Sequence, residues 1–171
     1  MRKTTEINKV FKMVKIKSII NNYPGILKYW DIIKNCNTSI LKFYNKENPI
    51  YTLINYSNVN PTIRWPELES ELIKNRNPQE LYNYHNGHLC VLKRWAEAEP
   101  IFKTSSEYLY WYCVSLFNGR WDKDLEDAFI ATKDIRRVFQ YAIKFNIKSK
   151  EIEDLMLTNE KYAYRYTFQV Q

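Results

Sequence analysis

Hydrophobic and polar positions recur along the chain in blocks that each begin with an Arg-Trp pair. An acidic stretch with helical spacing of its apolar residues follows the pair, and a stretch rich in aromatic residues comes after it. The pairs begin at Arg64, Arg94 and Arg120, which are 30 and 26 residues apart. Such a period is typical of stacked helical repeats, in which one unit cannot bury its apolar face without neighbours. The pattern therefore predicts an all-α fold, an α-solenoid-like stack of short helix pairs of about 26–30 residues.

The repeat divides the chain into an N-terminal segment and an array. Residues 1–23 are predicted to form a basic N-terminal helix, and residues 24–171 the helical-repeat array. The predicted units lie near 35–63, 64–93, 94–119, 120–146 and 147–171. The second helices of the last four units are predicted at 78–92, 105–117, 133–145 and 159–169.

Turn-forming residues mark several helix ends. Asn48 and Asn77 each precede a proline, which fits an N-cap followed by a first turn where the missing proline N–H is not needed. Gly119 is predicted to take a left-handed conformation after the helix at 105–117. Residues 162–170 alternate as a strand would, but their similarity to residues 108–114 favours a helix.

Charge is distributed unevenly along the chain. The net charge is +7, of which residues 1–23 supply +5, whereas residues 64–171 hold sixteen basic and sixteen acidic side chains. A surface that binds nucleic acid has its lysines and arginines clustered on one face, and the array shows no obvious cluster. Single-stranded nucleic-acid binding is therefore the alternative function, less favoured than protein binding. The lysines that would contact phosphates are Lys9, Lys12, Lys15 and Lys17.

Aromatic residues make up 16% of the chain and crowd the predicted second helices. Residues 108, 110 and 112 spread around a helix rather than along one face, so part of this aromatic surface is expected to be exposed. Tyr, Trp and Arg dominate binding hot spots. The predicted partner-binding residues are Tyr108, Tyr110, Trp111, Tyr112, Arg136, Arg137, Tyr162, Tyr164 and Tyr166.

The Arg-Trp pairs allow two interpretations. They could present a guanidinium and an indole to a ligand along one edge of the stack. Alternatively, Trp65, Trp95 and Trp121 pack between neighbouring helix pairs while each arginine binds carbonyl groups that end the previous helix. Repetition at every unit boundary favours the packing role.

His85, His88 and Cys90 form a His-x-x-His-x-Cys cluster beside Gly87. Two ligands three residues apart can share a helix face, but a structural zinc site needs four ligands, and the sequence offers no second cluster. We therefore expect a polar kink or an insertion here, and no metal.

The sequence contains no motif that assembles a nucleophile with a base, and no phosphate-binding loop. We therefore expect a protein that is not an enzyme and uses no cofactor. Cys36, Cys90 and Cys113 are scattered, which is typical of free thiols in a reducing intracellular setting. No apolar run is long enough to predict a membrane span.

The period and sequence of the units resemble a family of uncharacterised phage-encoded helical-repeat proteins. Their units are of the type Arg-Trp-Pro-Glu-Ala-Glu, a short acidic helix, then Tyr-Ala-Tyr-Tyr-Tyr-Ala. The best matches are Arg64–Tyr84, Arg94–Gly119, Gly119–Asn146 and the half-unit Glu160–Tyr166. Ala96 and Asp122 stand where proline is usual, and Ile147 where arginine is usual. The resemblance carries over no catalytic residues.

The resemblance and the small size imply a non-catalytic viral protein that binds a host protein. An inhibitor of a bacterial defence component, acting in the cytoplasm of an infected bacterium, would fit. Self-association through exposed aromatic surface on an end unit is also open.

Overall fold

The structure is a computed structural model and describes residues 23, 25–34, 36, 38–59, 61–62, 64–88 and 94–170. Every regular element in these ranges is a helix, which confirms the predicted all-α fold. Almost all of the predicted basic N-terminal helix, including the four lysines predicted to contact phosphates, lies outside them.

The first elements are two 3₁₀-helices, Ile26–Tyr29 and Thr38–Phe43, with the short α1 (Trp30–Ile33) between them. The remaining helices are α2 (Pro49–Ser57), α3 (Pro66–Asn75), α4 (Pro78–Gly87), α5 (Glu99–Phe102), α6 (Ser106–Leu116), α7 (Lys123–Ala131), α8 (Ile135–Phe145), α9 (Lys150–Leu157) and α10 (Glu160–Gln169). The helix α10 confirms that the alternating residues near the C-terminal end are helical.

The second helices of successive units pack against one another in chain order. α2 contacts α4, α4 contacts α6, α6 contacts α8, and α8 contacts α10. The first helices α3, α5 and α9 each contact the second helix that follows them, whereas α7 contacts α6 and α9. Each second helix thus has neighbours in the units before and after it, wherever both units are described.

A buried tyrosine ties the two halves of a unit together. In the unit 94–119, the Tyr112 hydroxyl accepts the backbone N–H of Trp95 at 2.8 Å and donates to Glu99 Oε1 at 3.1 Å. Arg94 binds the same carboxylate through two hydrogen bonds, of 2.6 and 3.1 Å. We call this set of four residues the clamp.

The clamp occurs in two further units. Its residues there are Arg64, Trp65, Glu69 and Tyr84, and Arg120, Trp121, Glu126 and Tyr141. All three tyrosines have no exposed surface, and the three glutamates are also buried. A buried carboxylate is tolerated only when it is paired and hydrogen-bonded, so the clamp fixes where the second helix lies relative to the Arg-Trp pair.

Other helix ends differ in part from the prediction. The Asn77 side chain caps α4 as expected, accepting from the backbone N–H of Gln79 and Glu80. Asn48 stands before α2 but makes no capping bond; it donates to Glu80 at 3.2 Å. The prediction of a left-handed Gly119 is wrong, because its φ is not positive. The helix α6 ends at Leu116, and the backbone after it is extended at Phe117. The left-handed positions after helices are Arg76, Lys133 and Asn146.

We expect Tyr112→Phe to destabilise the fold by about 1–3 kcal/mol, because it leaves the Trp95 N–H and the Glu99 carboxylate each short of one partner inside the protein. The matched control is Tyr164→Phe, whose ring is 69% exposed and which should change stability by less than about 0.5 kcal/mol. Urea unfolding followed by circular dichroism measures both. Equal effects of the two changes would show that the Tyr112 hydroxyl contributes nothing.

Gly25→Ala should destabilise the fold by about 1–3 kcal/mol. Gly25 has φ +91°, and an added Cβ would lie 2.7 Å from Pro49 Cγ. Gly119→Ala is the control, since nothing lies within 4 Å of its added Cβ and its φ is not positive; it should be neutral or stabilise by up to about 1 kcal/mol. Thermal unfolding of both variants checks the contrast, and an unchanged Gly25→Ala protein would contradict it.

Candidate functional site

The structure divides the predicted partner-binding residues by burial. Four of them have at most 8% of their surface exposed: Tyr110, Tyr112, Arg137 and Tyr166. Tyr108 and Tyr162 are half-buried, whereas Trp111, Arg136 and Tyr164 are exposed. The expectation that only part of the aromatic surface is buried is therefore met. The four buried side chains offer almost no surface to a partner, so a contact role is kept only for the others.

Each buried member of the set has a packing role. Tyr112 belongs to a clamp, and the Tyr166 hydroxyl donates to the Ile147 carbonyl at 3.2 Å. Tyr110 packs on Phe129 of the following unit, with ring centroids 6.0 Å apart. Arg137 bridges helices by pairing with Glu107 at 2.9 Å.

Aligning the second helices on their clamp tyrosines reveals a set of equivalent positions that are exposed on three of them. The positions one and five residues before this tyrosine lie one helical turn apart on the same face. On α6, α8 and α10 these positions are exposed in every case. They are Glu107, Trp111, Arg136, Gln140, Lys161 and Arg165, with Tyr166 of α10 taken as the equivalent of the clamp tyrosine. We call these six residues the outer strip.

Trp111 is the one aromatic residue of the outer strip. Its side chain is 42% exposed, and its ring meets Tyr110 edge-on, with centroids 5.1 Å apart. A tryptophan on a regular helix has few rotamers to lose, so its ring is presented to solvent at low entropic cost.

Three of the other five strip residues are cations: Arg136 on α8, and Lys161 and Arg165 on α10. Glu107, the one carboxylate of the strip, is paired with Arg137. Arg165 lies over the Phe139 ring, 4.9 Å from its centroid, and Lys161 lies 5.9 Å from that of Tyr162. Within the described part of the chain, neither these two cations nor Arg136 has a carboxylate partner. The strip therefore combines one exposed aromatic ring with three cations whose charge is not neutralised locally.

Sequence analysis identified only Trp111 and Arg136 of this strip. Lys161 and Arg165 are not predicted from the sequence, because scattered charged residues in an array of zero net charge do not indicate a binding surface. They can be identified by aligning the repeat units on the clamp tyrosine rather than on the Arg-Trp pair.

The Arg-Trp pairs are packing elements. Trp95 and Trp121 are 2% and 3% exposed, and Trp95 contacts Tyr84 of the unit before it, with centroids 5.6 Å apart. This confirms that the tryptophans lie between units. The expected arginine partner was wrong, however, because each guanidinium binds the glutamate of its own unit and not helix-ending carbonyl groups.

The charged and polar groups of the clamp shift one another's pKa values. Burial raises the pKa of Glu69, but the hydrogen bonds from Arg64 and Tyr84 outweigh it, so this pKa lies below its ordinary value. Burial, together with the Glu69 carboxylate, raises the pKa of Tyr84. The phenol therefore stays protonated and remains a donor to the carboxylate. Arg94 extends the network by pairing with Asp122 of the next unit.

His85 and His88 are both fully buried. The His88 ring stacks on Tyr84 at 4.2 Å with Nδ1 2.9 Å from the Tyr84 carbonyl oxygen, and His85 packs on Tyr112 at 4.9 Å. The His85 ring thus lies between two units, whereas His88 packs on the clamp tyrosine of its own unit. Cys90 is outside the described residues. No group of three His, Cys, Asp or Glu side chains in the described ranges is arranged to hold a metal ion.

No protein-family profile, curated protein or solved structure matches this chain significantly. Among the helices described, none has both the length and the apolar character needed to cross a membrane.

Acid should weaken the fold through Glu69. Because its pKa is lower in the folded than in the unfolded state, its ionised form stabilises the fold above the unfolded pKa, and this contribution is lost as the pH falls through the folded value. We expect the stability difference between the chain and Glu69→Gln to shrink as the pH drops below 4.5, the ordinary value for glutamate.

Denaturant unfolding at a series of pH values measures this difference. The exposed Glu67→Gln on the same helix is the control, because it removes the same charge from a site outside the clamp. A Glu69→Gln difference that stays constant down to strongly acidic pH would refute the coupling.

Proposed function

We propose that the chain is a non-catalytic protein–protein interaction module that binds an acidic segment of a protein partner through the outer strip. The observation that carries the proposal is Trp111, a large aromatic side chain 42% exposed on a regular helix, in a strip that also holds three cations without a carboxylate partner among the described residues. Tryptophan and arginine are the residue types most enriched at binding hot spots. The unneutralised charges of Arg136, Lys161 and Arg165 favour a partner of negative charge.

The proposed architecture is a solenoid-like stack in which the second helices form one wall. Its support is the chain-order packing of α2, α4, α6, α8 and α10 and the clamp that recurs in three units. In such a stack, equivalent positions of successive helices lie side by side, so the outer strip would be one surface rather than separate patches.

Single-stranded nucleic acid is the alternative ligand, since aromatic rings and cations also bind bases and phosphates. Such binding usually stacks successive bases on several rings. The positions equivalent to Trp111 are Asn83, Gln140 and Arg165, so the strip offers one ring and not a series. This observation favours a protein partner.

The resemblance to phage repeat proteins directs the proposal to a host protein of an infected bacterium. An inhibitor of a defence-system component in the bacterial cytoplasm is the specific form that we propose. The resemblance, and not the geometry of the strip, supports this part.

We expect Trp111→Ala and Arg136→Glu each to weaken partner binding by about 2 kcal/mol or more, roughly thirtyfold in Kd, with unchanged helix content. The tagged chain is used to recover partners from bacterial lysate with and without nuclease, and the variants are compared in the same assay. Lys46→Glu is the control, since it reverses an exposed charge outside the outer strip.

A nuclease-resistant protein that is captured by the chain and by Lys46→Glu, but not by the two strip variants, would support the proposal. Capture that disappears with nuclease would favour nucleic acid. Capture that is equal for all variants would remove the outer strip from the function.

A further inference from the structure

We propose that the face formed by Leu157, Tyr164 and Phe168 pairs two copies of this chain through a two-fold interface. This surface, which we call the end face, shares no residue with the outer strip, although Tyr164 adjoins Lys161 and Arg165 of the strip in one shallow depression. The proposal does not depend on the proposed partner. In the described ranges, five large apolar side chains are exposed, and three of them lie here. Leu157, Tyr164 and Phe168 are 72%, 69% and 65% exposed.

The repeat shows what normally covers this position. Tyr164 lies two residues before Tyr166, and the equivalent aromatic residue of each preceding clamp unit packs against the following unit. Tyr82 contacts Tyr108 at 6.0 Å, Tyr110 contacts Phe129 at 6.0 Å, and Phe139 contacts Tyr162 at 5.3 Å. The Tyr164 ring contacts Phe168 of its own helix, at 4.7 Å.

The end face is thus a unit–unit packing surface without a following unit in the described chain. Its residue Leu157 also lines a groove of about 250 Å³ between α9 and α10, together with Met156, Val170 and the charged Lys148 and Glu153. Exposed aromatic side chains at this position are suited to an equivalent helix, since the equivalent aromatic residues of the preceding units pack against the following unit. A second copy supplies such a helix in the form of its own α10.

The other described end of the array explains why the pairing would be two-fold. α2 contacts α4 and both 3₁₀-helices, and the neighbouring Ile26 and Ile40 have no exposed surface. The one large apolar side chain exposed in that part is Val59, in the loop after α2. With one open end described, pairing of like ends closes the assembly at two copies, whereas head-to-tail pairing would continue into longer chains.

The interface would be small. α10 has 10 residues, which corresponds to about 15 Å of helix. An interface of this length falls below the size of a standard permanent interface, so we expect a dimer that forms and dissociates with concentration.

Sedimentation velocity of the full chain over a wide range of concentrations tests the proposal. We expect monomer at low concentration and a species of twice its mass at high concentration. Phe168→Glu should raise the dimer Kd by at least about tenfold, because it places a charge in an apolar interface. Val59→Glu is the matched control, since Val59 is a similarly exposed apolar residue outside the end face, and it should leave the dimer intact.

If circular dichroism shows that Phe168→Glu has lost helix content, Thr167→Arg is tested in its place. Thr167 is exposed and lines the groove. A chain that stays monomeric at every concentration would overturn the proposal. Oligomers larger than two copies would overturn the two-fold arrangement, and a dimer equally strong in Phe168→Glu and Val59→Glu would overturn the end face as its location. The strip variants Trp111→Ala and Arg136→Glu should dimerise normally, so the two proposals fail separately.

Discussion

The architecture depends on a carboxylate buried at the centre of each clamp unit. Glu99 is 6% exposed, and an ionised group at this depth is stable only while its oxygens are paired. Arg94 supplies the opposite charge from the start of the unit, and Tyr112 supplies a hydroxyl from the second helix. Because both ends of the unit bind one carboxylate, the helices cannot slide relative to each other without unpairing it. The position of every exposed residue on α6 follows from this constraint.

The sequence was enough to predict the helical fold and most of its elements, because the Arg-Trp pairs recur at the unit boundaries. It did not reveal the partner of the arginine. Arg94 and Glu99 lie five residues apart, a spacing that no regular helix brings together. They meet because the chain turns at Trp95, whose N–H is bound by Tyr112. That contact joins residues distant in the sequence, so the local pattern of hydrophobic and polar residues does not predict it.

The candidate site was predictable only in part for a related reason. Tyr110 and Trp111 are adjacent aromatic residues, yet the first is buried and the second exposed. Composition and helical periodicity cannot decide which of the two is buried, because the helix carries apolar or aromatic residues on most of its sides. The rotation of α6 is set by the burial of Tyr112, the next residue. Counting from the clamp tyrosine therefore separates contact residues from core residues, and this count needs the structure.

The last unit shows how the clamp is lost without unfolding the array. The Tyr166 hydroxyl bonds Ile147 where the clamp tyrosines bond the tryptophan, so Ile147 corresponds to the tryptophan and not, as predicted from the sequence, to the arginine. Asn146 then stands at the arginine position, and no guanidinium is present there to pair with a buried carboxylate. The glutamate at the matching position of α9, Glu153, is half-buried and lines the groove instead. Tyr166 keeps its burial by donating to the Ile147 carbonyl. With neither the arginine nor the glutamate of the clamp in the interior, no buried charge is left without its partner, which would be strongly destabilising. The same change keeps α10 in place, with Tyr166 buried and Tyr164 and Phe168 exposed.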